Sequence, residues 1–586
     1  MSKRWIIRPP APDQAEALAK GLGVHPLVAW VMLNRGLTDL EAAGRFLNPS
    51  LDQLRPDLLP SAADPAVDRI RKALESGEVI GIHGDYDVDG VTGAALFASF
   101  LAELAGRVIT YLPHRQREGY GMKPAGVDAL KEQGASLILT VDCGISDLAA
   151  LEHAQKLGLP VIVVDHHQAP QQLPPAFAII NPHLSSGAPT TLGARVPTPA
   201  APLTELSGAG LAYLVLVALR AHLRERGFFQ NRAEPNLRSY LDLAALGTIA
   251  DVVPMFGLNR TLVAFGLEQI NAPTRPGLQM LSRVAGLNET KLSAMRVAFT
   301  LVPRLNAPGR LDHAGLALQL LLTRELREAR ELAEQLDRMN ATRQRVEERI
   351  LAEALEQAEE APKGLQGRSL VVAGKGWHPG VIGIVASRLV DRYHRPSAVI
   401  SLQDGVGKGS LRSIPGFHLF QGLEECAPVL MSFGGHAQAA GLVIAEDQLP
   451  AFRQRFEAVV ASRTQPADFE AALTLDAEWR LSKLDRKLVD DLARLEPHGP
   501  GNPEPLFAAR GVIVVQARVV KDKHLFLVLQ EGGVNIEGWA FGQAAEPPEP
   551  GDLIDVAYTP ELHRHRDREY IRIRIKDFRT VHSRRP

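Results

Sequence analysis

Five short apolar runs constrain the fold of the first half of this chain, at 79–82, 108–112, 136–141, 161–164 and 177–180. Each is too short for a helix and rich in Val and Ile, and stretches with helical spacing lie between them. That alternation predicts βαβ units and a mostly parallel, buried sheet. Ligands of such sheets collect outside the carboxyl ends of the strands, so the residues that follow each run matter most. The first run leads into His83-Gly84-Asp85-Tyr86-Asp87-Val88-Asp89-Gly90, three carboxylates and an imidazole in one turn, and then into an apolar stretch from Val91 that reads as a helix. Asp142 ends the third run, and Asp165-His166-His167 ends the fourth. A further apolar segment, 246–250, ends on Asp251 and reads as another buried strand.

Clustered carboxylates repel and must be protonated, solvated or neutralised by a cation. Oxygen and imidazole donors together suit Mg²⁺ or Mn²⁺ better than a thiol-preferring metal. Taken singly, each has a bland alternative: the first motif as a solvated acidic turn, Asp142 as a helix cap, and His166 or His167 as a structural histidine. Their joint placement at strand ends points to a binuclear metal centre.

A chain of 586 residues exceeds one ordinary domain. Its 45% hydrophobic and 23% charged content is that of a soluble globular protein. A net charge of −2 places any polyanion binding on local basic surfaces. Two cysteines, Cys143 and Cys426, give no disulfide framework and fit a reducing compartment. No apolar signal core or bilayer-length run is present, so no membrane partner and a cytoplasmic location are expected.

The pattern divides the chain into a helical segment over 1–60, an α/β unit over 61–322, a connecting helix over 323–362, a smaller α/β unit over 363–463 and a β-rich unit over 464–586. Helices are predicted at 12–22 and 26–33, and a third is opened by a capping-box arrangement at Thr38-Asp39-Leu40-Glu41. The Pro/Thr/Gly/Ala-rich stretch over 184–207 reads as an exposed loop. Five β runs after residue 511 suggest a small barrel, with an OB-fold as the leading candidate. On the last of them Ile571, Ile573 and Ile575 alternate with Arg572, Arg574 and Lys576, which predicts an apolar face and a basic face suited to a phosphate backbone. Phe526, Trp539 and Phe541 read as barrel-core packing, with base stacking as the alternative.

The segments HGDYDVDG, VDCG, VDHH and ADVVP resemble motifs I to IV of the DHH phosphoesterase superfamily. The likeness extends over most of the chain and is greatest to that superfamily's single-stranded-DNA-specific exonucleases. The segments at 376–388 and 409–413, with Gly434-Gly435-His436-Ala437-Gln438-Ala439-Ala440-Gly441, resemble the DHHA1 substrate-binding module. The resemblance implies an α/β fold: a parallel-sheet DHH domain joined by a long helix to a smaller α/β DHHA1 domain, followed by an OB-fold β-barrel. It implies two divalent cations, Mn²⁺ or Mg²⁺, one held by His83, Asp87 and Asp142, the other by Asp89, Asp142, His166 and Asp251. Asp142 then bridges, His167 faces the substrate phosphate, Asp165 supports the site from behind, and Asp85 joins the catalytic set without a defined role. Arg304, Asn306 and Arg310 are expected on the floor of a nucleic-acid channel, and His114, Arg115, Arg117 and Tyr120 near its entry. Arg388, Ser410, Arg412, Gly434, Gly435 and His436 are expected to hold the strand.

The implied activity is 5′→3′ hydrolysis of single-stranded DNA to 5′-mononucleotides in DNA repair and recombination, by a monomer with a helicase and a single-strand-binding protein as candidate partners. Two alternatives stand beside it: a DHH phosphodiesterase of short oligonucleotides or cyclic dinucleotides, and a non-catalytic replication scaffold. The barrel and long linker argue against the first, and the retention of every matched Asp and His against the second.

Overall fold

The computed structural model describes residues 3–9, 11–185, 203–287, 291–360, 367–565 and 568–581. Most of the stretch expected as an exposed loop lies outside the described residues. Strands β1 (Val79–Gly84), β2 (Arg107–Tyr111), β3 (Ala135–Val141), β4 (Val161–Val164) and β5 (Ala178–Ile180) form an all-parallel sheet in the order β2-β1-β3-β4-β5. Strand β1 and strand β4 are buried along their whole length, as β-branched runs covered on both faces should be. After β2 the chain crosses back over β1 to build β3, so the topology reverses between β1 and β3. That reversal opens a crevice at the carboxyl edge of these two strands. Helices α1 (Val88–Glu103), α2 (Gly208–Glu225) and α3 (Leu241–Ala250) pack together beside it. Asp251 therefore follows a helix, not the strand expected from its apolar run. The segment expected as a channel floor is likewise helical, within α4 (Ala294–Leu311), with Pro303 and Pro308 inside the helix.

Helix α5 (Leu326–Glu360) is 35 residues long, about 50 Å at 1.5 Å per residue. Its buried stripe is continuous, but its two halves serve different cores. Ala329, Ala333 and Leu336 join the core of the first unit, whereas Ile350, Ala354 and Ala358 join that of the second. The second unit holds strands β6 (Leu370–Lys375), β7 (Ser397–Gln403), β8 (Val406–Arg412), β9 (Ser432–Gly435) and β10 (Ala439–Ala445), with helix α6 (Ile382–Tyr393) after β6. The order is β9-β10-β8-β7-β6, and only β6 and β7 run parallel.

Strands β11 (Phe507–Val520), β12 (His524–Glu531), β13 (Val534–Ala540), β14 (Leu553–His565) and β15 (Arg568–Thr580) close into a barrel, because β11 pairs with both β12 and β14. Leu525, Leu527, Leu529, Ile536, Ile573 and Ile575 point inward. The same core contains Leu27, Val28, Met32 and Phe46 from the N-terminal helices, and the strand Arg4–Ile7 pairs in parallel with Ala472–Leu475. The first fifty residues are thus part of the barrel's unit. Their third helix, Leu40–Leu47, is capped one residue later than expected, by the Asp39 carboxylate accepting from the Ala42 N–H at 2.7 Å.

One expectation about the barrel is reversed and another is qualified. Phe526, Trp539 and Phe541 alternate with the inward Leu and Ala residues and lie on the outer face. On β15, Arg572 and Arg574 do point outward, but they are ion-paired with Glu561 and Glu504.

A buried arginine hub joins the three parts. Arg260 of the first unit donates to the carbonyls of Phe46, Arg494, Leu495, Glu496 and Pro497. Arg35 of the N-terminal helices donates to Val31 O, Asp476 Oδ1, Asn502 Oδ1 and Pro503 O at 2.7–3.0 Å. Among the described residues, no helix is long and apolar enough to cross a membrane.

Candidate metal centre

The turn after β1 and the start of α1 are one structural unit. Asp87 is the N-cap of α1, its carboxylate accepting from the Asp89 and Gly90 N–H groups at 3.0 and 3.1 Å. That bond fixes Asp89 in the first turn, facing the N-terminus of α2. There the Gly208 and Ala209 N–H groups donate to the two Asp89 oxygens at 2.6 and 2.9 Å. Two close approaches at this edge require glycine. A Cβ on Gly208 would lie 2.7 Å from Asp142 Cβ, and one on Gly247 of α3 would lie 2.5 Å from Asp89 Oδ1. Asp142, at the end of β3, adopts φ +61°, a region non-glycine residues visit only where the surroundings impose it.

His166 Nε2 lies 3.1 Å from Asp142 Oδ1, 3.7 Å from Asp251 Oδ2 and 4.0 Å from Asp89 Oδ2. Three sets of donor atoms fall within 4.8 Å of one another: Asp89, His166 and Asp251; Asp85, Asp87 and Asp142; and Asp142, His166 and His167. Asp142 is common to two of them. Behind the site Asp165 accepts from the Ile145 and His167 N–H groups and pairs with His167 Nδ1 at 2.8 Å. Tyr120 donates its hydroxyl to the Asp142 carbonyl at 3.1 Å and lies 3.0 Å from His167 Nδ1.

Burial decides the electrostatics. Asp85, Asp89 and Asp142 are 1–3% exposed. Burial, then the charge of Asp87, pushes Asp89 up to about 7. Burial, then Asp89 and Asp87, pushes Asp251 up to about 8. Asp85 and Asp142 are driven well above the carboxylate range by the same causes, burial first and neighbouring acids second. His166 falls to about 4, through burial and then the adjacent His167, and so presents a neutral imidazole. His167 behaves oppositely: burial opposes its charge, but the hydrogen bond and charge of Asp165 raise it to about 9. Among the described residues no Lys or Arg forms an ion pair with Asp85, Asp87, Asp89, Asp142 or Asp251. Hard oxygen donors, one neutral imidazole and uncompensated negative charge fit divalent Mg²⁺ or Mn²⁺.

His83 does not join these groups. Its Nδ1 lies 3.5 Å from Cys143 Sγ, its ring stacks on Tyr111, and Nε2 is buried without a partner. Asp85 stands with Asp87 and Asp142 in the place expected for His83.

The expected nucleic-acid contacts divide in two. Arg304 is committed to Asp337 on α5 at 2.8 Å, and Arg388 to Glu347 at 3.2 Å. Both ion pairs brace the linker. The Asn306 side-chain oxygen is buried without a partner. Arg310 behaves otherwise: it donates to the Gly380 carbonyl, and its charge interacts with Arg115, Arg412 and Asp87. Arg412 rests against Ser410 and the Leu411 carbonyl, beside the N-terminus of α6. Arg115 lies over the Tyr86 ring at 4.7 Å. His436 reaches the metal edge from the second unit, closing a cavity of about 170 Å³ with Tyr120, Gly144, Asp165 and His167. Gly434 and Gly435 end β9 just before it.

The helix-α2 donors to Asp89 were missed in the sequence, since Gly208 lies 119 residues away. Their one signal is Ser207 before an apolar run, which does cap α2 by accepting from the Gly210 N–H.

Comparison with known proteins accords with this geometry. Residues 79–248 match the DHH family, N-terminal domain; residues 366–462 match the DHHA1 domain; residues 475–577 match the RecJ OB domain. The single-stranded-DNA-specific exonuclease RecJ of Salmonella typhimurium is 37% identical over 98% of this chain and 99% of its own length. That of Bacillus subtilis is 34% identical over 98% of this chain and 70% of its own. The crystal structure of RecJ from Thermus thermophilus in complex with Mn²⁺ superposes with a TM-score of 0.82 at 32% identity, covering 99% of this chain and 80% of that one. The Mg²⁺ complex of the same protein gives a TM-score of 0.77.

Proposed function

The chain belongs to the RecJ family, and from that premise we propose that it is a metal-dependent exonuclease specific for single-stranded DNA, releasing 5′-mononucleotides in the 5′→3′ direction. The observation that carries this reading is the convergence of Asp85, Asp87, Asp89, Asp142, His166 and Asp251 at the β1/β3 reversal with no cationic side chain paired to them among the described residues. We assign Asp89, His166, Asp251 and Asp142 to one divalent cation and Asp85, Asp87 and Asp142 to the other. Two such cations, when bound, activate water and neutralise the charge that develops on the phosphodiester.

The chain's own groups supply the rest. Asp165 holds His167 at Nδ1, which leaves Nε2 of a charged imidazole to donate to a phosphate oxygen. Arg115, Arg310 and Arg412, spread over both α/β units, offer forked donors to the remaining phosphate oxygens. The cleft that His436 closes lies between the two units, where the strand's end would reach the metal edge. A role in DNA repair and recombination, a cytoplasmic monomer, and helicase and single-strand-binding-protein partners accompany this proposal.

A nuclease assay on 5′- and 3′-labelled single strands, with and without Mn²⁺ or Mg²⁺, tests it. Loss of the 5′ label first, only with divalent ion, is expected. Metal-independent release, or digestion from the 3′ end, overturns it.

A further inference from the structure

We propose that Asn259, buried behind the metal cluster, is a positioning residue: it ties together the two backbone segments that present Asp89 and Asp251 to one cation. The inference rests on the two-cation reading above and deepens it, by naming what keeps one ligand set in register. Asp251 is the least supported of the five acids. Asp87 caps α1, Asp89 accepts from Gly208 and Ala209, Asp85 accepts from Gly121, and Asp142 meets His166 at 3.1 Å. The Asp251 carboxylate accepts no hydrogen bond among the described residues, and His166 Nε2 stands 3.7 Å away. Asp251 also faces the like charges of Asp89 and Asp87, which push an unheld carboxylate outward. Its direction is therefore set by its main chain.

That main chain is held at both ends. The Asp251 N–H closes α3 on the Gly247 carbonyl at 2.9 Å, and the Met255 N–H donates to the Pro500 carbonyl at 2.8 Å. Between them Val252 takes φ +60°, a costly region for a β-branched residue. Its side chain is 65% exposed, so packing of the valine does not explain the conformation. Asn259, on the helix Gly257–Asn271, supplies the restraint: its Nδ2 donates to the Pro254 carbonyl at 3.0 Å and to the Glu205 carbonyl at 2.6 Å. Only the NH₂ end of the amide can serve two carbonyls, which fixes its orientation. Glu205 precedes Ser207, the cap of α2, and the first N–H groups of α2 hold Asp89. One buried amide thus bridges the strap that carries Asp251 and the helix start that fixes Asp89. A second bridge joins the same segments: the Ser207 hydroxyl donates to Thr248 Oγ1 at 3.2 Å, and Thr248 donates in turn to the Ala244 carbonyl at 2.7 Å. Outer hydrogen bonds of this kind orient metal ligands, and losing one costs about 10- to 100-fold in metal affinity or activity.

The test titrates Mn²⁺ into the metal-free full chain by calorimetry and, separately, follows nucleotide release against Mn²⁺ concentration. Asn259→Ala is expected to weaken one of the two binding steps about 10-fold and to leave the other within about 2-fold. About 10-fold more Mn²⁺ should then restore the parental kcat, and single-strand affinity in chelator should match the parent. Thr248→Val keeps the side-chain volume and removes the second bridge; it should weaken the same step about 3-fold, and its result stands if Asn259→Ala does not fold. A residue that only supports the fold would instead lower the melting temperature in chelator and lower kcat at every Mn²⁺ concentration alike. Parent-like Mn²⁺ titrations in both variants, equal weakening of both steps, or a kcat deficit that excess Mn²⁺ leaves in place overturns the assignment. Failure of the metal reading itself would show earlier and differently, as a parent protein that takes up no Mn²⁺.

Discussion

Two clusters of buried charge in this molecule follow opposite rules. At the hub, Arg260 and Arg35 are surrounded by acceptors: carbonyl oxygens of the N-terminal helices and of residues 494–503, Asn502 and the Asp476 carboxylate. At the β1/β3 reversal, Asp85, Asp89 and Asp142 face one another with backbone N–H groups and histidines as their polar company. A satisfied buried charge holds structure; an unsatisfied one costs stability and persists where a ligand completes it. The difference separates scaffold from site without reference to any relative.

The strongest way to break this contrast is Asp142→Asn. It should lower nucleotide release by at least about 10³-fold, while the metal-free protein melts at a higher temperature than the parent, since a repelling charge is gone. Lower activity together with lower stability would place Asp142 among structural residues. Arg260→Met should do the reverse: five carbonyls lose their donor, at a cost of about 3 kcal/mol by denaturant titration, with kcat retained in the folded fraction. Saturating Mn²⁺, at about 100-fold its Kd, should stabilise the parent by about 2.7 kcal/mol in a melt and leave Asp142→Asn much less affected.

A finer test uses His498, which lies in the hub loop with Nδ1 unpartnered. Burial, then the charges of Arg35 and Arg260, holds it at about 3. Its folded pKa lies below the unfolded value of about 6.5, so the unfolded chain takes up the proton more readily. Its contribution is complete above pH ~6.5 and is lost as pH falls toward 3, about 2 kcal/mol by pH ~5. His498→Gln should flatten that part of the stability curve measured by urea denaturation. The smallest effect is expected from Arg388→Ala, a half-exposed ion pair with Glu347, which should change stability by less than about 1 kcal/mol. A large loss of DNA affinity in that variant would return Arg388 to the binding surface.

Much of the site could be read locally because strand-end acids follow their apolar runs directly in sequence, as Asp85, Asp142 and Asp165 do. Asp251 was found for a wrong reason, its apolar run being helical, and periodicity over so short a run cannot separate the two. The orientation of His83 is not legible, because string position cannot say which way a ring turns, and here it turns to Cys143 and Tyr111. The ion pairs of Arg304 and Arg388 are not legible in sequence because each depends on a partner far along the chain. The barrel's aromatics failed for another reason: alternation shows that two faces exist, not which faces inward. Only the closure through β11 and β14 settles that.

The pairing of Arg4–Ile7 with Ala472–Leu475, and the shared burial of Met32 with Leu527, mean that the chain's opening residues find many of their neighbours at its far end. On the ribosome those early helices must wait, apolar side bare, through almost the whole of translation. Final closure of that unit is a late event in maturation.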